Sequence, residues 1–209
     1  MSKHEISPVK DNYEKQLTYS KLLARYNTAM KYQFYFEAMM IDYAMLEDRL
    51  LSFLYHAGVI AKRSSDKVTK SKKVRPYLNY LNKRYNGEDK NLVVSKISGK
   101  INLIEAILDW VINEVGVIED SIYLKTLKTQ CESLDLGLLK ECLTEIKRWT
   151  NYRNEVIHAA LNKNIDSLYA EIEQEAHNGM DLARIIDSQV RLLKKGNRIR
   201  RKLNLGNEW

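Results

Sequence analysis

The stretch LLKECLTEIKRWTNYRNEVIHAAL, Leu138–Leu161, decides the architecture. Leu139, Cys142, Leu143, Ile146, Trp149, Val156 and Ala160 recur three, four or seven residues apart. That spacing is the period of an α-helix with one apolar face, whereas a half-buried strand would alternate every second residue. No Pro or Gly breaks the run, so nothing in its chemistry stops the helix. Such a helix must bury its stripe against partners of the same kind.

The rest of the chain supplies those partners. From Asp11 to about Tyr55 there is again neither Pro nor Gly, and Leu22, Leu23, Tyr26, Met30, Phe34, Met40, Ala44, Leu50, Leu51 and Leu54 fall at helical spacing. This predicts one very long helix, or two joined by a break near Tyr26–Thr28, closed by Gly58. Pro76 suits the first turn of a short helix, PYLNYLNKRY, that stops at Gly87. A stripe through Ile97, Ile101, Ile104, Leu108, Val111, Ile112 and Val115 ends at Gly116. The segment EDSIYLKTLKTQCES carries Leu124, Leu127 and Cys131 on a shorter helix. Asn164 or Asp166 can cap a last helix with Leu168, Ile172, Leu182, Ile185, Ile186 and Leu193 inward. The expectation is an all-α, up-and-down bundle of five or six helices with short connections. It forms one domain over residues 1–209, with a basic linker at about 61–75 and a basic C-terminal arm at about 191–209 that projects beyond the bundle.

Composition narrows the function classes. No apolar run is long enough to cross a bilayer, and the N-terminal MSKHEISPVKDN has no hydrophobic segment like that of a signal peptide. Two cysteines, Cys131 and Cys142, make no disulfide framework and read as small buried hydrophobes of a cytoplasmic protein. Four histidines without a Cys/His cluster argue against zinc. Asp42, Glu47 and Asp48 invite a metal site, but no E-x-x-H pair accompanies them, so no metal or cofactor is expected. The tyrosine-rich helix around them reads as core or interface before it reads as a base-stacking surface.

The net charge of +7 is concentrated in two blocks. AKRSSDKVTKSKKVR (Ala61–Arg75) includes Lys72, Lys73 and Arg75, and RLLKKGNRIRRK (Arg191–Lys202) includes Lys194, Lys195, Arg198, Arg200, Arg201 and Lys202. Each block has the cations to contact RNA phosphates, or to remain a solvated loop or helix end.

Arg153 interrupts the apolar stripe of the opening helix, four residues after Trp149 and three before Val156. Buried arginines need partners. An acid from another helix (Asp42, Glu47 or Asp48), a second subunit or a bound phosphate could each serve. His158, five residues on, lies about 140° round the helix, and shares its face with Asn154. A two-fold axis is the easiest way to bring both sets into one cleft.

RNEVIH, Arg153–His158, resembles the R-x(4–6)-H motif of the HEPN superfamily, small all-α bundles that are often metal-independent ribonucleases. Asn154 matches the polar residue that commonly follows the arginine, and the motif's place late in the bundle also agrees. Arg49 and His56 meet the same spacing, but Leu50 follows that arginine in an apolar helix, so the second match is set aside. The resemblance implies a homodimer whose protomers share a cleft. In it the RNA 2′-hydroxyl attacks the adjacent phosphate, Arg153 stabilises the phosphorane, His158 is general acid and base, and Asn154 orients one of them. It also implies a toxin or phage-defence role, with an antitoxin or defence-system partner protein. Toxins of this kind that pair with nucleotidyltransferase antitoxins carry a tyrosine two residues after the histidine, where this chain has Ala160. The rival reading is a non-catalytic helical module that binds a partner protein or nucleic acid through its basic surface.

Overall fold

The computed structural model describes residues 9–62, 66–86, 92, 94–113, 121–159, 170–196 and 198–206. Among them are eight α-helices: α1 (Asn12–Lys31), α2 (Tyr35–His56), α3 (Arg75–Asn86), α4 (Ile97–Asn113), α5 (Ile122–Cys131), α6 (Leu136–Ala159), α7 (Ile172–Gly196) and α8 (Arg198–Leu203). The expected all-α class therefore holds, and the helix number is higher than five or six. The expected inward Ala160 and the caps Asn164 and Asp166 lie outside the described residues. So do Leu168, Val115 and the terminating Gly87 and Gly116. No helix of the described residues is long and apolar enough to cross a membrane.

One source of the extra helices is the break between α1 and α2, which falls later than Tyr26–Thr28. Asp11 caps α1 by accepting from the Glu14 amide at 2.8 Å. At the other end Gln33 N–H donates to the Met30 carbonyl, and Phe34 N–H donates to the Ala29 carbonyl. This is the double closure that glycine usually terminates, yet here Gln33 takes the left-handed conformation at φ 61°. With no Gly or Pro at the turn, the sequence hides the stop. The end of α2 is conventional. Gly58, at φ 77°, lets the chain turn back, and a Cβ there would sit 2.7 Å from Ile199.

Helix α2 is the central element, with Ala38, Leu46, Leu50, Phe53 and Leu54 fully buried. It runs parallel to α7: Asp42 faces Gly179, and Arg49 pairs with Asp187 further along both helices. Helix α6 runs antiparallel to α7. Trp149 of α6 is fully buried and its Nε1 donates to the Glu175 carbonyl at 2.7 Å. Gly179 makes this seam possible, because a Cβ there would lie 2.6 Å from the Trp149 ring and 2.8 Å from the Asp42 carboxylate. Leu139, Cys142, Leu143, Ile146 and Val156 join Trp149 in one apolar core, as the opening stretch predicts. Cys131 and Cys142 are buried free thiols whose pKa values burial pushes up to about 12.

The described residues of the two basic blocks are part of the fold. Residues 66–75 turn back on the α2 exit through Thr69 N–H to the Val59 carbonyl and Ala61 N–H to the Lys67 carbonyl, and Val74 is fully buried. The expected C-terminal arm is instead the end of α7 plus α8, docked through Leu193, Ile199 and Leu203. Gln130 of α5 fastens it: Nε2 donates to the Leu193 carbonyl and Oε1 accepts from Ile199 N–H. Over residues 191–196 and 198–206 the arm does not project, because Leu193, Ile199 and Leu203 belong to the core.

Candidate functional site

Arg153 sits in the last two turns of α6, half-buried against the first half of α2. Its guanidinium carbon lies 4.3 Å from the Tyr43 ring centroid, a cation–π contact. Nη2 donates to the Met40 sulfur at 3.0 Å, and Nη1 donates to Asn154 Oδ1 at 3.1 Å. Nε has no hydrogen-bond partner among the described residues. Burial pulls the guanidinium pKa below its ordinary value, and only Tyr43 opposes that shift.

None of the three candidate acids reaches Arg153: two are paired with other residues and the third is buried without a partner among the described residues. Glu47 accepts from Lys100 at 2.8 Å. Asp48 accepts from Lys15 at 2.5 Å and from the Tyr19 hydroxyl at 2.8 Å. Asp42 is fully buried with neither oxygen hydrogen-bonded among the described residues. No carboxylate pairs with Arg153 among the described residues. Of the alternatives for Arg153, an ion pair with Asp42, Glu47 or Asp48 is therefore not the one found, because α2 turns an aromatic ring and a thioether toward the guanidinium in place of a carboxylate.

Asn154 joins the two halves of the motif. It accepts from Arg153 and lies one helical turn before His158, on the same face. His158 is exposed at the end of α6. Arg153, Asn154 and His158 thus form a continuous strip in which the arginine reaches round the helix toward the asparagine. The set-aside pair is engaged differently. Arg49 bonds Asp187 at 2.8 Å and stacks 4.0 Å from the Tyr19 ring, while His56 is buried edge-on to Tyr55.

The basic residues separate into surface and interior. Lys72 and Lys73 are exposed in the turn before α3. Arg75, half-buried, lines an open cavity of about 660 Å³ with Lys67, Lys70, Thr69 and Val94. Lys194, Lys195, Arg198, Arg201 and Lys202 are exposed at the ends of α7 and α8. Arg200 is not available to RNA and its expected role is corrected. Only 2% exposed, it donates to the carbonyls of Tyr55, Ile60, Ala61, Leu205 and Gly206 and stacks 3.8 Å from the Tyr55 ring. It is a structural clamp that satisfies the carbonyls at the end of α2.

The sequence reading missed Tyr43 and Met40 as the support of Arg153. They lie three residues apart on a tyrosine-rich helix, and nothing in that spacing distinguishes a guanidinium support from ordinary core. No protein-family model, curated protein sequence or solved structure matches the chain.

Proposed function

We propose that the chain is a metal-independent endoribonuclease of the HEPN type, acting as a homodimer in a toxin or phage-defence setting. One observation carries the reading. Arg153 is a half-buried guanidinium held by a ring, a thioether and an amide, with no carboxylate against it among the described residues. An arginine so held keeps its charge for an external anion, and phosphate is the anion its planar fork fits best.

In this reading the RNA 2′-hydroxyl loses its proton to a His158 imidazole and attacks the adjacent phosphorus. Negative charge builds on the non-bridging oxygens against Arg153. The bond to the 5′-oxygen breaks, that oxygen takes a proton from an imidazolium, and a 2′,3′-cyclic phosphate remains. Asn154 holds the guanidinium toward the histidine's face. The exposed apolar side chains Phe36 and Met40, one turn apart on α2 with Met40 against Arg153, support a second copy covering this side of the bundle.

His158→Ala is expected to abolish RNA cleavage while the melting temperature stays unchanged, because the side chain is exposed. Arg153→Ala is expected to do the same with a small loss of stability. Cleavage persisting in His158→Ala would refute the proposal, as would loss of activity on adding a chelator. The row of exposed cations Lys194, Lys195, Arg198, Arg201 and Lys202 favours a second reading, a module that binds nucleic acid without cutting it.

A further inference from the structure

Away from Arg153, α1, α2 and α7 enclose a cleft of about 370 Å³ lined by Asn12, Lys15, Gln16, Tyr19, Arg49, Arg191 and Lys194. On α2, Arg49 lies six residues beyond Tyr43, about 9 Å along the axis and about 120° round it. The cleft is therefore a different place from the Arg153–His158 strip.

Its chemistry is one-sided. Lys15 and Arg49, each with a side chain only 15% exposed, form the floor. Two carboxylates hold that floor in position. Asp48 accepts from Lys15 and Tyr19, and Asp187 accepts from Arg49 and, at 2.7 Å, from Arg191 Nε. Arg49 is also stacked on Tyr19, so its guanidinium is fixed in two directions. Each acid is thus shared between two donors, and beside the Lys15–Asp48 pair Arg49, Arg191 and Lys194 face one carboxylate, Asp187, among the described residues. A network that only stapled α1 to the bundle would balance its charges. Among the described residues Arg49, Arg191 and Lys194 leave a surplus of two positive charges over Asp187. Among the described residues Lys194 has no carboxylate partner and Arg191 is bound through Nε alone, which leaves its terminal nitrogens for a ligand.

We infer that this cleft binds a phosphate group, with Lys15 and Arg49 as a pre-set floor and Arg191 and Lys194 closing on the ligand from the rim. Two surplus charges match a phosphate dianion or two successive diesters. Cations held in place by carboxylates and an aromatic ring lose little freedom on binding. The phosphate belongs either to a free phosphorylated small molecule or to a nucleic-acid strand continuing along the exposed Lys195, Arg198 and Arg201. This inference stands whether or not Arg153 and His158 cut RNA.

The test uses the full chain and two probes. Inorganic pyrophosphate is titrated by calorimetry, and a short 2′-O-methyl oligonucleotide without terminal phosphates, which cannot be cleaved, is titrated by fluorescence anisotropy. Arg191→Ala/Lys194→Ala is compared with Lys125→Ala/Lys140→Ala, an equal loss of charge at exposed positions elsewhere. At least one probe is expected to bind, to weaken about tenfold or more in the cleft variant, and to change less than about twofold in the control. Pyrophosphate binding identifies the small-molecule source, and oligonucleotide binding alone identifies a strand. In the strand case the salt slope is expected to fall by about 1.4, the share of two phosphate contacts. Failure of both probes to bind, or equal losses in the two variants, would overturn the inference. Melting curves of both variants report on folding, and Lys194→Ala alone gives the same comparison if the double variant melts early.

Discussion

Asp42→Asn replaces a carboxyl that the fold buries completely and leaves without a hydrogen-bond partner among the described residues. Burial drives its pKa from 3.8 up to about 8; Arg184 pulls it down somewhat and Asp181 pushes it up. The sign follows from where the proton is held. Between about pH 4 and pH 8 the folded protein keeps it and the unfolded chain has lost it, so raising the pH favours unfolding. The stability linked to this group is fully present below about pH 4 and gone above about pH 8. Each pH unit inside the window is worth about 1.4 kcal/mol. Asparagine has nearly the same shape and does not titrate, so the stability difference between the variant and the native chain isolates Asp42 from every other group. Urea unfolding at a series of pH values is expected to show that difference moving in favour of the variant by roughly 2–3 kcal/mol between pH 5.5 and 7.5. It should level off above about pH 8. Parallel curves for the two proteins would refute the reasoning, because they would require a partnered or solvated Asp42 with an ordinary pKa.

Gln33→Gly is expected to raise stability by about 0.5–1 kcal/mol, since glycine tolerates the left-handed turn that Gln33 occupies at φ 61°. A rise of about 1–4 °C in melting temperature would register it. Gly179→Ala is expected to cost about 1–3 kcal/mol or more, because its Cβ would lie 2.6 Å from Trp149 and 2.8 Å from Asp42; denaturant titration measures this. Arg200→Ala removes a donor from five backbone carbonyls, of which Tyr55 keeps the Gly58 N–H, and is expected to cost about 3–5 kcal/mol. A variant that melts normally while losing RNA affinity would show that Arg200 belongs to the surface after all.

The amphipathic stripes were legible because burial and periodicity are the same fact seen twice: Leu139, Cys142, Leu143, Ile146, Trp149 and Val156 recur at helical spacing, with one turn taken by Arg153, and all six are buried. Helix ends were legible where glycine marks them, as at Gly58, and hidden where Gln33 does glycine's work. Charge was read least well. RLLKKGNRIRRK looks like one solvated block, yet Arg200 meets carbonyls about 140 residues away in sequence, near Tyr55 and Ile60. No local pattern encodes that encounter. The candidate site was half visible. Arg153 announced itself by breaking an apolar stripe, whereas its support by Tyr43 and Met40 depends on how α2 packs against α6.

Arg153 and Arg200 make the argument for function by contrast. Both stand where the pattern asks for an apolar residue or a solvated one, and both stack on a tyrosine. Arg200 then finds five carbonyl acceptors, so its burial is explained by the fold alone. Arg153 makes one bond to an amide and one to a thioether, which leaves three of its five N–H groups without a protein acceptor among the described residues. Its lowered pKa records the cost of that position. A bundle selected for stability alone would place leucine there and gain apolar burial. A residue that breaks the local rule without structural return is the expected mark of a site whose partner arrives from outside. In the proposed reading that partner is an anion, and the neighbouring exposed His158 fits one whose chemistry needs a proton moved.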